Sequence, residues 1–490
     1  MQQRLCGREQ EYGMAVLPEY NPSRFKEFID PVNPPTEEGF FRGWREKIVL
    51  RCIDNIVYDN YLNSTAIWDR IDSVRKIWLS NGSLIYVDMQ CLLEHATAEC
   101  SVHTLDLITQ EKASELLINK AAQEVRKDMG LELLYFYKNN CGPENGDDLY
   151  KENTYASHHN YSYLKEEKEN VQETLITFIP LNILISGNGH LYRNYNNEIK
   201  YALSQRALYM EETTGQQTTE KRPIINSKED SLMKTSTKLS RLHLISCDAT
   251  RCEFQTWLTT MTIHLVIRLA EEGWKVPYNI KTSNPVARMR VINNLLLDND
   301  YLIKETLDKN FIFLNAAKQL KYLSESEKDA LDEWERVLNL LKDKAYGKLI
   351  GELDWTTKLM LIKNKMKKHH FNLSDVRAWQ INMEYHNISN NPKRSWFSRL
   401  DELGFISHLV SEEDVKKAIF TPPPTRAQTR SLFVKLCSQN PRLRIFFPSM
   451  DWGTLSIKGS KESFYFGEDA NPFIPNDEIL KKAIIEIESQ

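Results

Sequence analysis

The chain turns on one stretch, Asn81-Gly82-Ser83-Leu84-Ile85-Tyr86-Val87-Asp88-Met89-Gln90-Cys91-Leu92-Leu93-Glu94-His95-Ala96-Thr97-Ala98-Glu99-Cys100. Asn81-Gly82 reads as a turn, because glycine accepts the positive φ that a tight hairpin needs. Leu84-Ile85-Tyr86-Val87 then reads as a short strand. Side chains alternate along a strand, so Tyr86 and Asp88 face one way and Ile85 and Val87 the other. Glu94 and Glu99 follow on the way out. The strand and its exit thus offer three carboxylates, a phenol and the Thr97 hydroxyl. Such an all-oxygen donor set suits a hard cation such as Mg²⁺. A solvated strand end with scattered acids is the plain alternative, since acidic loop residues are common.

On the N-terminal side, a strand through Gly7-Arg8-Glu9-Gln10-Glu11-Tyr12-Gly13 puts Glu9 and Glu11 on a shared face. Two acids pointing the same way repel unless a cation or base lies between them; a solvent-facing edge strand is the alternative. Residues 17–65 read as an inserted or mobile segment, followed by a helix around 65–76. On the C-terminal side, the spacing predicts a helix over 105–129 stopped by Gly130, and a strand over 133–137. The alternation over 155–163 places His158, Asn160 and Ser162 on one face and His159, Tyr161 and Tyr163 on the other. Adjacent strand histidines therefore make no clamp, and a lone one is ordinarily a satisfied core or surface residue.

A further strand over 240–248 carries Arg241 and His243 on one face. An arginine there clamps phosphate bidentately or makes a surface ion pair. A helix over 252–272 ends at Gly273, and 310–370 reads as helical with a break at 324–326 and a fresh N-cap at Ser326. The basic run from Lys363 to His370 reads as a solvated helix face. Thr421-Pro422-Pro423-Pro424 is the clearest boundary. It divides a large domain, 1–420, from a small one, 421–490, which holds Arg426, Asp451-Trp452 and a final helix from Asn476.

The 490 residues are 41% hydrophobic and 27% charged, an ordinary soluble composition with length for a large core. A net charge of −4 gives no field that favours nucleic acid or an anionic membrane, so neither is expected as a partner. No apolar run is long enough to span a bilayer, and the N-terminus lacks the apolar core of a signal peptide. The 8 cysteines show no paired metal spacing, so reduced, cytoplasmic thiols are expected.

Taken together the segments resemble the Pup ligase and depupylase family, relatives of glutamine synthetase. The pieces are Gly7-x-Glu9-x-Glu11-Tyr12-Gly13, Asn81-Gly82 through Tyr86-x-Asp88, Glu94-x-Ala96-Thr97-Ala98-Glu99-Cys100, Lys138-Asn139-Asn140, His158-x-Asn160-Tyr161, Leu203-Ser204-Gln205-Arg206, Arg222-Pro223-Ile224-Ile225-Asn226, Arg241-Leu242-His243, Leu353-Asp354-Trp355, Pro423-x-Thr425-Arg426-Ala427 and Asp451-Trp452. Each is weak alone; their order and spacing are specific. The resemblance implies an α+β fold, with a large glutamine-synthetase-like domain, a curved antiparallel sheet packed by helices, and a small C-terminal domain.

It also implies chemistry. ATP phosphorylates the side-chain carboxylate of the C-terminal Glu of a small protein modifier, Pup or Pup-like, and a lysine of a target protein attacks the acyl phosphate. Glu9, Tyr86 and Glu94 match the family's Mg²⁺ positions, and Asp88 matches its catalytic aspartate. Thr97 and Trp452 match nucleotide contacts. Glu11, Glu99, His158, Arg206 and His243 occupy neighbouring cradle positions for metal or phosphate, and Arg241 and Arg426 are further candidates for the nucleotide.

Departures stand beside the matches. Where the family has an ATP-contacting arginine this chain has Leu84, and the usual Thr-Arg-Asp-Glu-Pro-His after Asn226 is Ser227-Lys228-Glu229-Asp230-Ser231-Leu232. The longer segment between Glu11 and Asn81 is similar to the loop inserted in depupylases, while Ala96-Thr97-Ala98-Glu99-Cys100 and Arg222-Pro223 follow the ligase form. A ligase is the reading. An isopeptidase or deamidase on the same cradle, and a non-catalytic modifier-binding homologue, are the alternatives.

Overall fold

The structure is a computed structural model. It describes residues 3–18, 37–58, 67–71, 74–88, 91–142, 154–194, 196–228, 238–439, 449–457, 463–467 and 471–488. Much of the expected inserted segment, 19–36 and 59–66, lies outside the described residues, as does most of the departure after Asn226. In chain order the strands are β1 (Leu5–Pro18), β2 (Ile67–Ile71), β3 (Val74–Trp78), β4 (Leu84–Val87), β5 (Leu93–Ala96), β6 (Cys100–Ser101), β7 (Leu131–Tyr137), β8 (Ser157–Leu164), β9 (His190–Arg193), β10 (Ile199–Ala202), β11 (Glu212–Gly215), β12 (Pro223–Asn226), β13 (Leu239–Leu244), β14 (Ser449–Met450), β15 (Thr454–Ser456) and β16 (Ser463–Tyr465). The helices the site depends on are α1 (Glu37–Tyr58), α2 (Asp106–Asp128), α3 (Lys168–Ser186), α4 (Glu253–Glu271), α5 (Pro285–Leu295), α6 (Asp300–Ala317), α7 (Glu325–Lys342), α8 (Asp354–His369), α9 (Val376–Glu384), α10 (Trp396–Glu402), α11 (Glu412–Ala418), α12 (Arg426–Gln439) and α13 (Glu478–Glu488).

The chain divides into two compact units. One comprises Glu9–Cys100, Thr109–Tyr137 and Glu412–Gln490. Here β1 pairs with β5 and β7, and β5, β4, β3 and β2 continue as an antiparallel meander. Residues directly opposite on neighbouring strands share a face of the sheet. The register therefore sets two rows side by side on one face. The first is Glu9, Ala96, Leu84 and Trp78; the second is Glu11, Glu94, Tyr86 and Lys76. Trp78, Leu84 and Ala96 are covered by Phe433 and Val434 of α12, Leu455 of β15, Phe464 of β16 and Leu480 of α13. Each large apolar side chain buried there contributes roughly 1.5–3 kcal/mol. The second row is polar and stays only partly covered at Glu11, Tyr86 and Lys76.

The other unit comprises Met1–Arg8, Ser101–Ile108 and Lys138–Ser411. In it β8, β13, β12 and β11 lie in order, the last pair parallel and the others antiparallel. Helices α3 and α4 are buried along most of their length. Phe178 of α3 stacks with Phe313 of α6 and Trp334 of α7, and the Trp355 indole donates to the Leu184 carbonyl at 2.8 Å. Ion pairs tie the same layers: Arg4 with Glu271, and both His264 and Arg268 with Glu327.

The α+β class stands, but the expected curved antiparallel sheet does not. Each unit holds an open run of strands, β11-β12-β13-β8 in one and β1-β5-β4-β3-β2 in the other, and the β11–β12 pair is parallel. The helix expected around 65–76 is instead the β2–β3 hairpin. Ile67, Trp68, Ile71, Val74, Ile77 and Trp78 fit a helical period as well as a strand pattern. Pairing with β4 resolves the ambiguity. The cap at the helical break is Ser324, not Ser326: its Oγ accepts from Glu327 N–H, and Glu327 accepts from Ser324 N–H at 2.7 Å.

Candidate active site

The hairpin that opens the site is tightly specified. Gly82 has φ +80°, and a Cβ there would meet the Ala427 carbonyl oxygen at 3.0 Å. Asn81 Oδ1 accepts from the Ser83 amide at 3.1 Å and its hydroxyl at 2.6 Å, while Asn81 Nδ2 donates to the Ala418 carbonyl at 3.0 Å. From this turn β4 carries Tyr86 and then Asp88 onto the polar row. The Leu92 amide donates to Asp88 Oδ1 at 2.8 Å, which fixes the carboxylate across the turn that leads into β5.

Glu11, Asp88 and Glu94 each present a carboxylate oxygen, and the three oxygens lie within 4.8 Å of one another. Like charges so close repel strongly unless a cation or protons intervene. Burial pushes the Glu94 carboxyl well above its ordinary range, and the charges of Glu11 and Glu9 add to the rise. Tyr86 donates its hydroxyl to Glu94, and burial together with the nearby carboxylates of Glu94, Glu9 and Glu11 pushes the phenol well up. Four acids and a phenol are thus gathered on one face of three strands.

Thr97 is buried just beyond β5. Glu99, also expected in the cradle, is taken up by arginines. Arg426 Nε donates to its Oε1 at 2.6 Å and Arg430 Nη2 to its Oε2 at 2.5 Å. Burial raises the Glu99 carboxyl, but the charges of Arg430 and Arg426 overcome this and hold it at about 2. Arg430 also donates to the Gly82 carbonyl at 2.7 Å and the Trp452 carbonyl at 2.6 Å. Its guanidinium stands 4.9 Å from the Trp78 ring and 4.8 Å from the Trp452 ring, and the two indoles meet edge to face. Sequence reasoning named Arg426 and Trp452 but missed Arg430, Trp78 and Lys76. A cue for Arg430 existed: it lies four residues after Arg426, on the same helix face.

The remaining predicted residues lie in the other unit. His158 on β8 and His243 on β13 meet ring to ring, centroids 4.8 Å apart. Arg241 donates to Asn160 Oδ1 at 2.6 Å. Arg206 is buried, with Nε on the Ile245 carbonyl at 2.9 Å and Nη1 on Thr154 Oγ1 at 2.6 Å. Asp248 receives the amides of Arg206 and Asn188 at 2.8 Å and the Ser204 hydroxyl at 2.9 Å. Burial nevertheless pushes its carboxyl up to about 6, against those donors. Asn140 Oδ1 accepts from the Ala249 amide at 2.7 Å, and its own amide donates to Gln205 Oε1 at 2.6 Å. Asp354 accepts from the Arg251 amide and the Tyr385 hydroxyl, each at 2.7 Å. The Lys138-Asn139-Asn140, Leu203-Ser204-Gln205-Arg206 and Leu353-Asp354-Trp355 motifs thus supply a buried polar frame.

An oxygen-donor cluster on a sheet face and an arginine-clamped pair of indoles thus lie in the same unit, and an all-oxygen cluster of this kind suits a hard divalent cation. The model of the family described as Pup-ligase protein matches residues 4–456. This chain belongs to the Pup-ligase family. It is 29% identical over 429 residues to a Pup–protein ligase of Renibacterium salmoninarum, covering 84% of this chain and 88% of that protein. It is 30% identical over 392 residues to one of Paenarthrobacter aurescens, covering 75% and 81%. Two solved structures share the fold. The complex of the prokaryotic ubiquitin-like protein Pup with its ligase PafA has a TM-score of 0.76 at 23% identity, over 100% of this chain and 93% of that one. PafA in complex with ADP has a TM-score of 0.72 at 23% identity, over 89% and 93%.

Proposed function

We propose that this chain is an ATP-dependent ligase that joins the C-terminal glutamate side chain of a Pup-like modifier to lysines of target proteins. The observation that carries this is the meeting of Glu11, Asp88 and Glu94 beside Tyr86 in a chain of this family. A carboxylate resists attack by an amine because oxide is a poor leaving group. Transfer of the γ-phosphoryl group to a carboxylate oxygen releases ADP and supplies a good one. The lysine Nζ then attacks the acyl carbon, phosphate leaves and an isopeptide bond remains.

The donor set fits Mg²⁺: it is all oxygen, and its mutual repulsion is relieved by a cation. Glu9, Glu94 and the Tyr86 oxygen would hold it, with Glu11 beside them. When bound, Mg²⁺ offsets phosphate charge. Asp88 takes the proton that the attacking lysine amine gives up, and its grip on the Leu92 amide keeps that carboxylate oriented. Arg430 sets the Trp452 ring, which takes the adenine, and Thr97 lies along the nucleotide's path. Reduced, buried thiols and use of ATP fit a cytoplasmic enzyme; among the described residues no helix is long and apolar enough to cross a membrane.

The test is to incubate the purified protein with Mg-ATP, a Pup-like protein ending in glutamate and a lysine-bearing acceptor. ADP release with a new isopeptide adduct by mass is expected. Cleavage of a pre-made conjugate without ADP release would overturn the ligase reading in favour of a hydrolase, and absence of nucleotide binding would overturn it in favour of a scaffold.

A further inference from the structure

The polar row of Glu11, Glu94 and Tyr86 continues onto β3, where Lys76 stands opposite Tyr86 in register and on the same face. We propose that Lys76 binds the phosphate oxygens of the nucleotide, an assignment that rests on the ligase reading above. Three observations carry it. First, the Lys76 ammonium sits over the Tyr86 ring, 5.8 Å from its centroid, on the sheet face that carries the acid cluster. Second, among the described residues its side chain has no ion pair or hydrogen bond, although four carboxylates occupy the same sheet face. Third, the neighbouring row offers a phosphate no cation of its own: Leu84 on β4 is 5% exposed and packed into the apolar core with Trp78 and Ala96.

Charge decides what such a lysine is for. Glu9, Glu11, Asp88 and Glu94 repel a polyphosphate, and hard cations relieve only the side on which the carboxylates lie. On β3 the row presents a compact ammonium with three donors that rotate to suit, and Asp69 follows it in register on β2. Hydrogen bonds from a charged donor to phosphate are short and strong, and the Tyr86 ring face holds the cation ready. Lys76 thus faces the phosphate chain from the β3 side of the row, across Tyr86 from Glu94 and Glu11.

The experiment measures binding of Mg-ATP and of adenosine to the full chain by calorimetry, for wild type, Lys76→Met and Lys76→Arg. Lys76→Met is expected to weaken Mg-ATP binding at least tenfold and to leave adenosine binding unchanged, with Lys76→Arg recovering most of the loss. Should Lys76→Met fail to fold, Lys76→Gln is read instead. If Lys76 served only to pair with Asp69, its register partner on β2, Mg-ATP would bind Lys76→Met as it binds wild type, and the proposal would fail while the ligase reading stood. An equal loss of adenosine affinity would also overturn it, since a phosphate contact cannot touch adenosine. If wild type binds no Mg-ATP, the ligase reading and the Lys76 assignment fall together.

Discussion

Asp88 Oδ1 accepts from the Leu92 amide between β4 and β5, and the function proposed above gives the same carboxylate the proton of the incoming amine. An Asp88→Asn variant keeps an oxygen acceptor for that amide but cannot take a proton. Conjugation in single-turnover assays is expected to fall by roughly 10²–10⁴, with Mg-ATP binding kept; conjugation at the wild-type rate would refute the role. Arg430 is the second residue on which the site depends. Its fork binds Glu99, Gly82 and Trp452 at once, and lysine cannot reproduce three directions. Arg430→Lys is expected to cost about 2 kcal/mol, read as a lower urea midpoint, and to weaken Mg-ATP binding through the loosened Trp452 ring. The acids were legible in sequence because alternation along a strand is local. Arg430 was not, because its partners lie at positions 82, 99 and 452 and meet it only in the folded unit.

At the scale of elements, the hairpins fix the chemistry. Gly82 holds positive φ and faces Ala427 without room for a methyl group. Gly82→Ala is expected to destabilise by about 1–3 kcal/mol, measured by chemical denaturation, and to lower ligation by displacing β4. An unchanged midpoint would mean the Ala427 backbone yields. The Asn-Gly signal announced this turn, and glycines 130 and 273 announced the ends of α2 and α4. The β2–β3 hairpin was hidden because its apolar spacing suits either period, so only pairing with β4 identifies it. The parallel β11–β12 pair was hidden for a related reason: the direction of a strand leaves no mark on its own alternation.

For the whole molecule, stability should follow two separate pH windows. Glu99, held at about 2 against an ordinary 4.5, binds fewer protons folded than unfolded between those values. Its contribution, on the order of 3 kcal/mol, is whole above 4.5 and is lost as pH falls toward 2. Glu99→Gln should therefore flatten the acid limb of a pH–stability profile. Lys358 behaves oppositely. Burial pulls its ammonium down from 10.5 to about 7, with Asp354 opposing, while Nζ reaches the Gly189 carbonyl at 2.6 Å and His386 Nε2 at 2.7 Å. The folded chain sheds that proton first, so stability rises with pH from about 7 to 10.5, and Lys358→Met should abolish this rise. Neither window was readable beforehand, since both come from burial and from partners distant in sequence.

The cross-strand row also bears on how such a site changes over generations. Residues facing one another across neighbouring strands share a chamber, although their codons lie far apart. A positive charge forfeited on one strand can be regained on the next by a single substitution, with no movement of backbone and no shift of register. Insertion or deletion of one residue has the reverse effect, turning every acid of that strand to the opposite face at once. Descendants of such a ladder are free to trade charges sideways while strand lengths stay frozen.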